Sequence, residues 1–379
     1  MADYEACNGV TASNLEACNG VAKANIETIN GLTVPASGAT RAFIGLADAR
    51  VGLVPIADVA DVTVWEDNTY QGRPGDTWDL TDIAYGKDGS GNPHYAAVIN
   101  GNNPEIIYAS ETDFIAKNNW SENNLTLRQR TILWGNNVWV SAGLLGSSSA
   151  NQHIYRSTNG STWSQVDISG LGNVSTLYAN GIYALTSDGN GTWFMALKDE
   201  IYKSTDDAAS WSLEHTVSTV NDRIWDLVIT NNTLVCLYQS GGPKLISAAL
   251  SDTTDWSSAT TVAGTGGLAL GSTAKRMAGG NGRVVVIDTG KSVGFDVNGK
   301  TITAATTRQV FPDEGNANCI ATDGQGNWYV GSDGGTTGAD GGDICESTDN
   351  GASWTRIVHG ITASAYKIEG IGLNVYLPL

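Results

Sequence analysis

Ala184-Leu-Thr-Ser-Asp-Gly-Asn-Gly-Thr-Trp-Phe-Met-Ala-Leu197 reads as two short apolar runs joined by a Gly/Asn/Asp turn. That order is a β-hairpin signature, because Gly and Asn accept the positive φ that tight turns demand. The pattern returns in Asp82–Val98, Thr131–Ser141, Asp226–Leu237, Arg276–Ile287 and Cys319–Gly331. Its turns fall at 88, 136, 188, 231, 280 and 323, spaced 43 to 52 residues apart. A period that accommodates four short strands predicts an all-β fold, a β-propeller of four-stranded antiparallel blades. Seven blades are expected, with six as the alternative, because a seventh hairpin fits Tyr366–Leu377 with its turn near Glu369. The sequence stops before that blade's outer strands, so a strand from the other end, Asp61-Val-Thr-Val-Trp-Glu66, is expected to close the ring. Closure matters because an open sheet edge invites aggregation.

The second half of several units carries a sharper motif. Ser347-Thr-Asp-Asn-Gly-Ala-Ser-Trp354 fits Ser-x-Asp-x-Gly-x-Ser/Thr-Trp, with Ser347, Asp349, Gly351 and Trp354 at the defined positions. Ser204, Asp206 and Trp211 repeat it with Ala208 in place of glycine, and Ser157, Asn159 and Trp163 form a copy one residue shorter. Ser251–Trp256 and the stretch ending at Trp120 look like degraded copies, and the blade between 256 and 354 has none. Asp and Ser side chains bond the amides of such a turn, and the tryptophan covers the seam between blades. The motif resembles the Asp-box, or bacterial neuraminidase repeat, of sialidase-like propellers. In that family the box is a folding device on outer turns, so the resemblance implies a propeller without implying an enzyme.

Ahead of the propeller, residues 5–37 hold three copies of an 11-residue unit, starting at Glu5, Glu16 and Glu27. Asn-Gly recurs at 8–9, 19–20 and 30–31, which argues against a helix and for short extended pieces joined by turns. The apolar positions Cys7, Val10, Leu15, Cys18, Val21, Ile26, Ile29 and Leu32 are too few to form a core, so the arm is expected to dock on a repeated or elongated surface, either its own propeller or another protein. The chain is therefore divided into an arm, 1–40, and a propeller, 41–379. Such arms resemble the N-terminal attachment arms of tailed-bacteriophage virion proteins.

The composition agrees with many turns and few helices: 46 glycines in 379 residues, and charged residues at 16% against about 25% in average chains. A net charge of −18 argues against nucleic acid, which calls for a Lys/Arg surplus. No run approaches the roughly 18 apolar residues of a membrane span, and Met1-Ala-Asp-Tyr-Glu5 lacks a basic, then apolar, leader. Synthesis in a host cytoplasm without a signal peptide is expected, with the five cysteines as free thiols.

No catalytic set emerges. The histidines at 94, 153, 215 and 359 are dispersed, and no nucleophile motif is present. Cys236, Cys319 and Cys345 sit in strand-like runs, where a buried inert thiol is the default. Sialidases gather three arginines around a carboxylate. Here Arg223, Arg276 and Arg308 are the candidates to face a central channel, while Arg156 belongs on an outer strand. Asp333, Asp340 and Asp343 in a glycine-rich loop are the Ca²⁺ candidate set, with a plain hairpin loop favoured; otherwise no metal or cofactor is expected. Trp78, Trp134, Trp139, Trp193, Trp225 and Trp328 are the candidate stacking platforms for a glycan, although most of them should be core.

The expected function is a non-enzymatic structural component of a virion: a tail, fibre or head-decoration protein present in multiple copies. Its partners are other virion proteins through the arm and a host-surface glycan or protein through the propeller. A glycan-binding or glycan-hydrolysing propeller is the alternative, and a cellular assembly factor is a third reading.

Overall fold

The computed structural model describes residues 79–100, 105–110, 121–125, 129–143, 153–171, 181–217, 223–262, 276–288, 290–310, 317–332 and 343–358. It also gives the backbone of short strands at 17–18, 21–22, 28–29, 32–33, 41–46, 50–55, 66–69 and 368–373. Six antiparallel sheets of four strands follow one another: blade one at 79–124, then 131–167, 182–216, 223–261, 276–309 and 317–358. A seventh four-stranded sheet pairs Ile368–Leu373 with Arg41–Leu46, Arg50–Pro55 and Glu66–Thr69. The innermost strands touch in sequence, and Ile368–Leu373 lies between those of blades six and one, so the ring is a closed β-propeller.

The closing sheet differs from expectation in two ways. Among the described residues, Ile368–Leu373 is one strand that runs through Glu369, where the hairpin turn was expected, with Glu369 as the extra residue of a bulge. Three strands must then come from the other end, and the one that pairs with it is Arg41–Leu46 rather than 61–66. Of 61–66, only Glu66 lies within the described residues, as the first residue of the outermost strand.

Each apolar cluster spans two blades. Trp193, Met195 and Tyr202 of blade three meet Val138, Val140 and Ile154 of blade two, while Val284, Val286 and Phe295 of blade five meet Val235 and Leu237 of blade four. Trp139, Trp193 and Trp328 occupy equivalent second-strand positions and are fully buried, which makes them core rather than platforms. Burying an aromatic of that size contributes about 2–3 kcal/mol of transfer free energy.

The inner hairpins turn in two ways. Asn136-Asn137, Asn231-Asn232 and Asn281-Gly282 are two-residue turns with both residues at positive φ. The longer turns are organised by Asp88, Asp188 and Asp323, whose Oδ1 atoms each accept the amides two and four residues on.

The serine-aspartate turns repeat one geometry. Ser347 Oγ donates to Asp349 Oδ1 and accepts the Gly351 amide, each at 2.8 Å, and Asp349 Oδ1 accepts the Ser353 amide at 2.8 Å. Ser204 and Asp206 do the same, with Ala208 N donating to Ser204 Oγ at 3.0 Å, and so do Ser157 and Asn159 with Gly160. Trp163, Trp211, Trp256 and Trp354 are half-buried against the seams between blades. Trp120 lies outside the described residues.

In the arm, Cys18 pairs with Val21 and Ile29 with Leu32, two-residue ladders on either side of Asn19-Gly20 and Asn30-Gly31. Cys7, Val10, Leu15 and Ile26 lie outside the described residues.

Candidate functional site at the channel mouth

A cavity of about 540 Å³ runs down the centre of the ring, lined by the inner strands. Aliphatic residues such as Ile132, Leu185 and Val228 line it, with Lys87, Asn136 and Asn137 where the inner strands end and Asp82, Asp226 and Arg276 where they begin, so most of its charge lies at the strand starts.

Three arginines stand at strand starts. Arg130 directly precedes Thr131–Gly135, Arg223 opens Arg223–Thr230, and Arg276 opens Arg276–Gly280. The Arg130 guanidinium lies 4.2 Å from the centre of the Tyr183 ring, and that of Arg223 lies 5.1 Å from the same ring and 5.0 Å from Trp225. Tyr183 and Trp225 meet edge to face at 5.5 Å, and Arg223 Nη1 donates to the Tyr183 hydroxyl at 3.4 Å. Arg130 is held below the ordinary arginine range by burial, then by the repulsion of Arg276 and Arg223. Three cations thus share one mouth.

β-Bulges aim these rings. The register slips between Leu80 and Asp82, Ile182 and Ala184, and Ile224 and Asp226, which makes Thr81, Tyr183 and Trp225 the extra residues of their strands. An extra residue re-aims its side chain relative to simple alternation.

Below the arginines lie Asp82 and Asp226. Asp226 accepts the Leu227 amide at 3.0 Å and, from blade five, the Met277 amide at 2.9 Å. Asp82 accepts the Ile83 amide at 2.9 Å and, from blade two, the Ile132 amide at 3.0 Å and the Thr131 hydroxyl at 2.8 Å. Burial raises both carboxyls, that of Asp226 to about 7, with Arg276 opposing the rise. Because both spend their acceptors on a neighbouring blade in the same way, the device reads first as an inter-blade tie and only then as a titrating group.

Of the arginines expected at the channel, Arg276 lines it and Arg223 lies against Tyr183, which lines it. Arg308 does neither: it lies on the outer strand of blade five and donates to Ala352 O at 2.6 Å, as Arg156 does from blade two to Asp207 O at 2.7 Å. Strand polarity explains the difference, since 308 is near the end of a fourth strand and the channel is built only of first strands. Trp134 and Trp225 are half-buried, and Trp134 lines the channel, while the Trp78 side chain lies outside the described residues.

No described nucleophile is poised. Burial raises the Cys236 thiol and pushes that of Cys345 up to about 12. His94 stacks on Tyr108 at 4.6 Å and His215 on Trp256 at 4.9 Å, both away from the channel. Among the described residues no cluster of three His, Cys, Asp or Glu could hold a metal. Asp343 of the calcium candidate is paired with Arg356, and Asp333 and Asp340 lie outside the described residues.

No protein-family model and no curated protein sequence matches the chain. Solved structures do, at the level of fold. A putative 6-phosphogluconolactonase from Bacteroides uniformis aligns with a TM-score of 0.57 at 11% identity, covering 89% of this chain and 100% of that one. The Cps50 (Swd1) β-propeller domain of Myceliophteria thermophila gives 0.55 at 10%, covering 77% and 90%. YCF48 bound to D1 peptide gives 0.51 at 13%, covering 77% and 89%. At such identities the likeness extends to the propeller alone.

Proposed function

We propose that the protein is a non-enzymatic structural component of a bacteriophage particle, attached in several copies through its N-terminal arm and displaying the propeller for contact with a host surface. The observation that carries this reading is the arm's repetition. Two successive units form the same ladder around the same Asn-Gly pair, 11 residues apart. A two-residue ladder does not stand alone in water, so a repeated one calls for a repeated or elongated support. Other virion proteins supply such a support. The hydrogen-bonded serine-aspartate turns support reading those segments as Asp-boxes, which fits a rigid display domain.

The test is incorporation. Tagged full-length chain supplied during infection should sediment with particles, and a chain lacking residues 1–38 should stay soluble with its ring intact, because the first closing strand starts at Arg41. Equal incorporation of both forms refutes the arm's role.

A second reading, a glycan-binding propeller, is favoured by the arginine mouth. Arg130 and Arg223 beside Tyr183 and Trp225, with Arg276 near enough to repel Arg130, offer cations for an acid group and ring faces for a sugar, on a protein that is otherwise acidic. The two readings combine if the displayed surface is what touches an acidic host glycan. Binding without turnover on an array of acidic glycans supports the combination, and turnover supports a hydrolase.

A further inference from the structure

The floor of the arginine mouth is titratable. Asp226 bonds the amide of Met277, the residue next to Arg276, so carboxylate and guanidinium are carried by adjoining points of blades four and five. Among the described residues, the titratable and charged groups around Asp226 are Arg276 on blade five, Asp82 on blade one, Tyr183 on blade three, and Cys236 and Arg223 on its own blade, with Arg130 of blade two beside Tyr183 and Arg223. With both carboxylates ionised, three guanidinium charges are offset by two; with Asp226 protonated, they are offset by one.

We propose that capture of an acidic ligand at the mouth is proton-coupled: the ligand's anionic group and the Asp226 carboxylate compete for Arg276, and protonation of Asp226 tightens binding. The inference rests on reading the mouth as a site for an acidic ligand. Its physical basis is like-charge repulsion. An anion close enough to use Arg276 also stands near Asp226, and between partly buried charges neither water nor salt removes the interaction. Burial brings the titration of Asp226 to about 7, whereas a ligand carboxylate stays ionised throughout that range. A lower pH therefore strengthens binding, opposite to the usual result when a ligand loses its own charge.

The experiment is calorimetric titration of the full chain with trigalacturonate, an acidic oligosaccharide whose charge is constant from pH 6 to pH 8. Binding should tighten on the order of tenfold from pH 8 to pH 6, and at pH 7, in two buffers of different ionisation enthalpy, about half a proton should be taken up per ligand bound. Asp226→Asn should bind with affinity independent of pH and take up no proton, while Arg223→Gln should bind more weakly at every pH. Binding by the wild-type chain without proton uptake overturns the coupling and leaves the mouth as a binding site. Absence of binding at every pH overturns the mouth reading as well. Because burial raises Asp82 as well, uptake that persists in Asp226→Asn, or that is lost in Asp82→Asn, assigns the proton to Asp82 and overturns the proposal for Asp226.

Discussion

Three serine-aspartate turns place Gly160, Ala208 and Gly351 at the same point, each with a left-handed φ, +74°, +62° and +76°, and each donating its amide to the serine hydroxyl. They differ in what a β-carbon meets. At Gly160 it would stand 2.8 and 2.9 Å from two ring carbons of Tyr108, a ring that is itself stacked on His94 at 4.6 Å. At Gly351 the nearest atom is a Val285 methyl at 3.0 Å. A left-handed alanine costs about 1 kcal/mol, and overpacking a fixed ring adds about 1–3. Gly160→Ala should therefore destabilise the protein by about 2–4 kcal/mol, and Gly351→Ala by about 1–2. Ala208→Gly relieves about 1 kcal/mol of strain but removes a fully buried methyl, worth about 0.8 kcal/mol, and frees the unfolded chain by about another 0.5. Its net effect is near zero, although it restores the motif's glycine. Equilibrium urea unfolding of the full chain, followed by tryptophan fluorescence with m-values compared, measures all three. The reasoning fails if Ala208→Gly stabilises by more than about 1 kcal/mol, or if Gly160→Ala costs less than Gly351→Ala.

Asp226 titrates near 7 when folded and near 3.8 when unfolded, so between those values the native state holds a proton that the unfolded chain has released. Its contribution to stability is complete at low pH and declines as pH rises towards 7, by at most about 1.4 kcal/mol per pH unit. Unfolding free energies of wild type and Asp226→Asn should diverge in the variant's favour from pH 4.5 to 7 and run parallel above. Gly86→Ala should cost about 1–3 kcal/mol in the same urea assay, because its β-carbon would stand 2.3 Å from Cγ of Trp134. Arg356→Met, which leaves the buried Asp343 carboxylate without its ion pair, should cost about 3–5 kcal/mol, with a midpoint unchanged within error counting against a buried pair.

The repeat could be read because its signals are local. Asn136-Asn137 and Asn231-Asn232 are turn residues by chemistry, and Asp88, Asp188 and Asp323 mark the longer turns by side chains that bond their own backbone. The closing sheet was harder, since alternation in 61–66 looks as strand-like as Arg41–Leu46, and which of them pairs with Ile368–Leu373 depends on contacts across the whole chain. The arginine mouth was harder again. Arg130, Arg223 and Arg276 lie far apart in sequence with no shared motif, and Arg308 looked equally suitable. The signal that separates them is position relative to a first strand: three stand at its start and one near the end of a fourth. Trp225 is visible in the sequence as a possible platform, but Tyr183 is hidden by a bulge, which breaks the alternation that marks a strand's faces.

The overall charge and the mouth pull in opposite directions, and their ranges decide what each can do. A net charge of −18 acts on an approaching partner from a distance, but at physiological salt its field fades within about 8 Å of the surface. The guanidinium cluster acts only at contact, where Tyr183 and Trp225 exclude water from one side and screening is weak. A long polyanion must lie along the acidic surface to reach the mouth, and so meets the repulsion along its whole length. A single acid group at the end of a neutral or weakly charged ligand meets little of it and gains the full contact. The same arrangement that argues against nucleic acid therefore favours a ligand with one or a few acidic groups presented on an apolar or sugar-like body, sized to the ring faces beside the arginines.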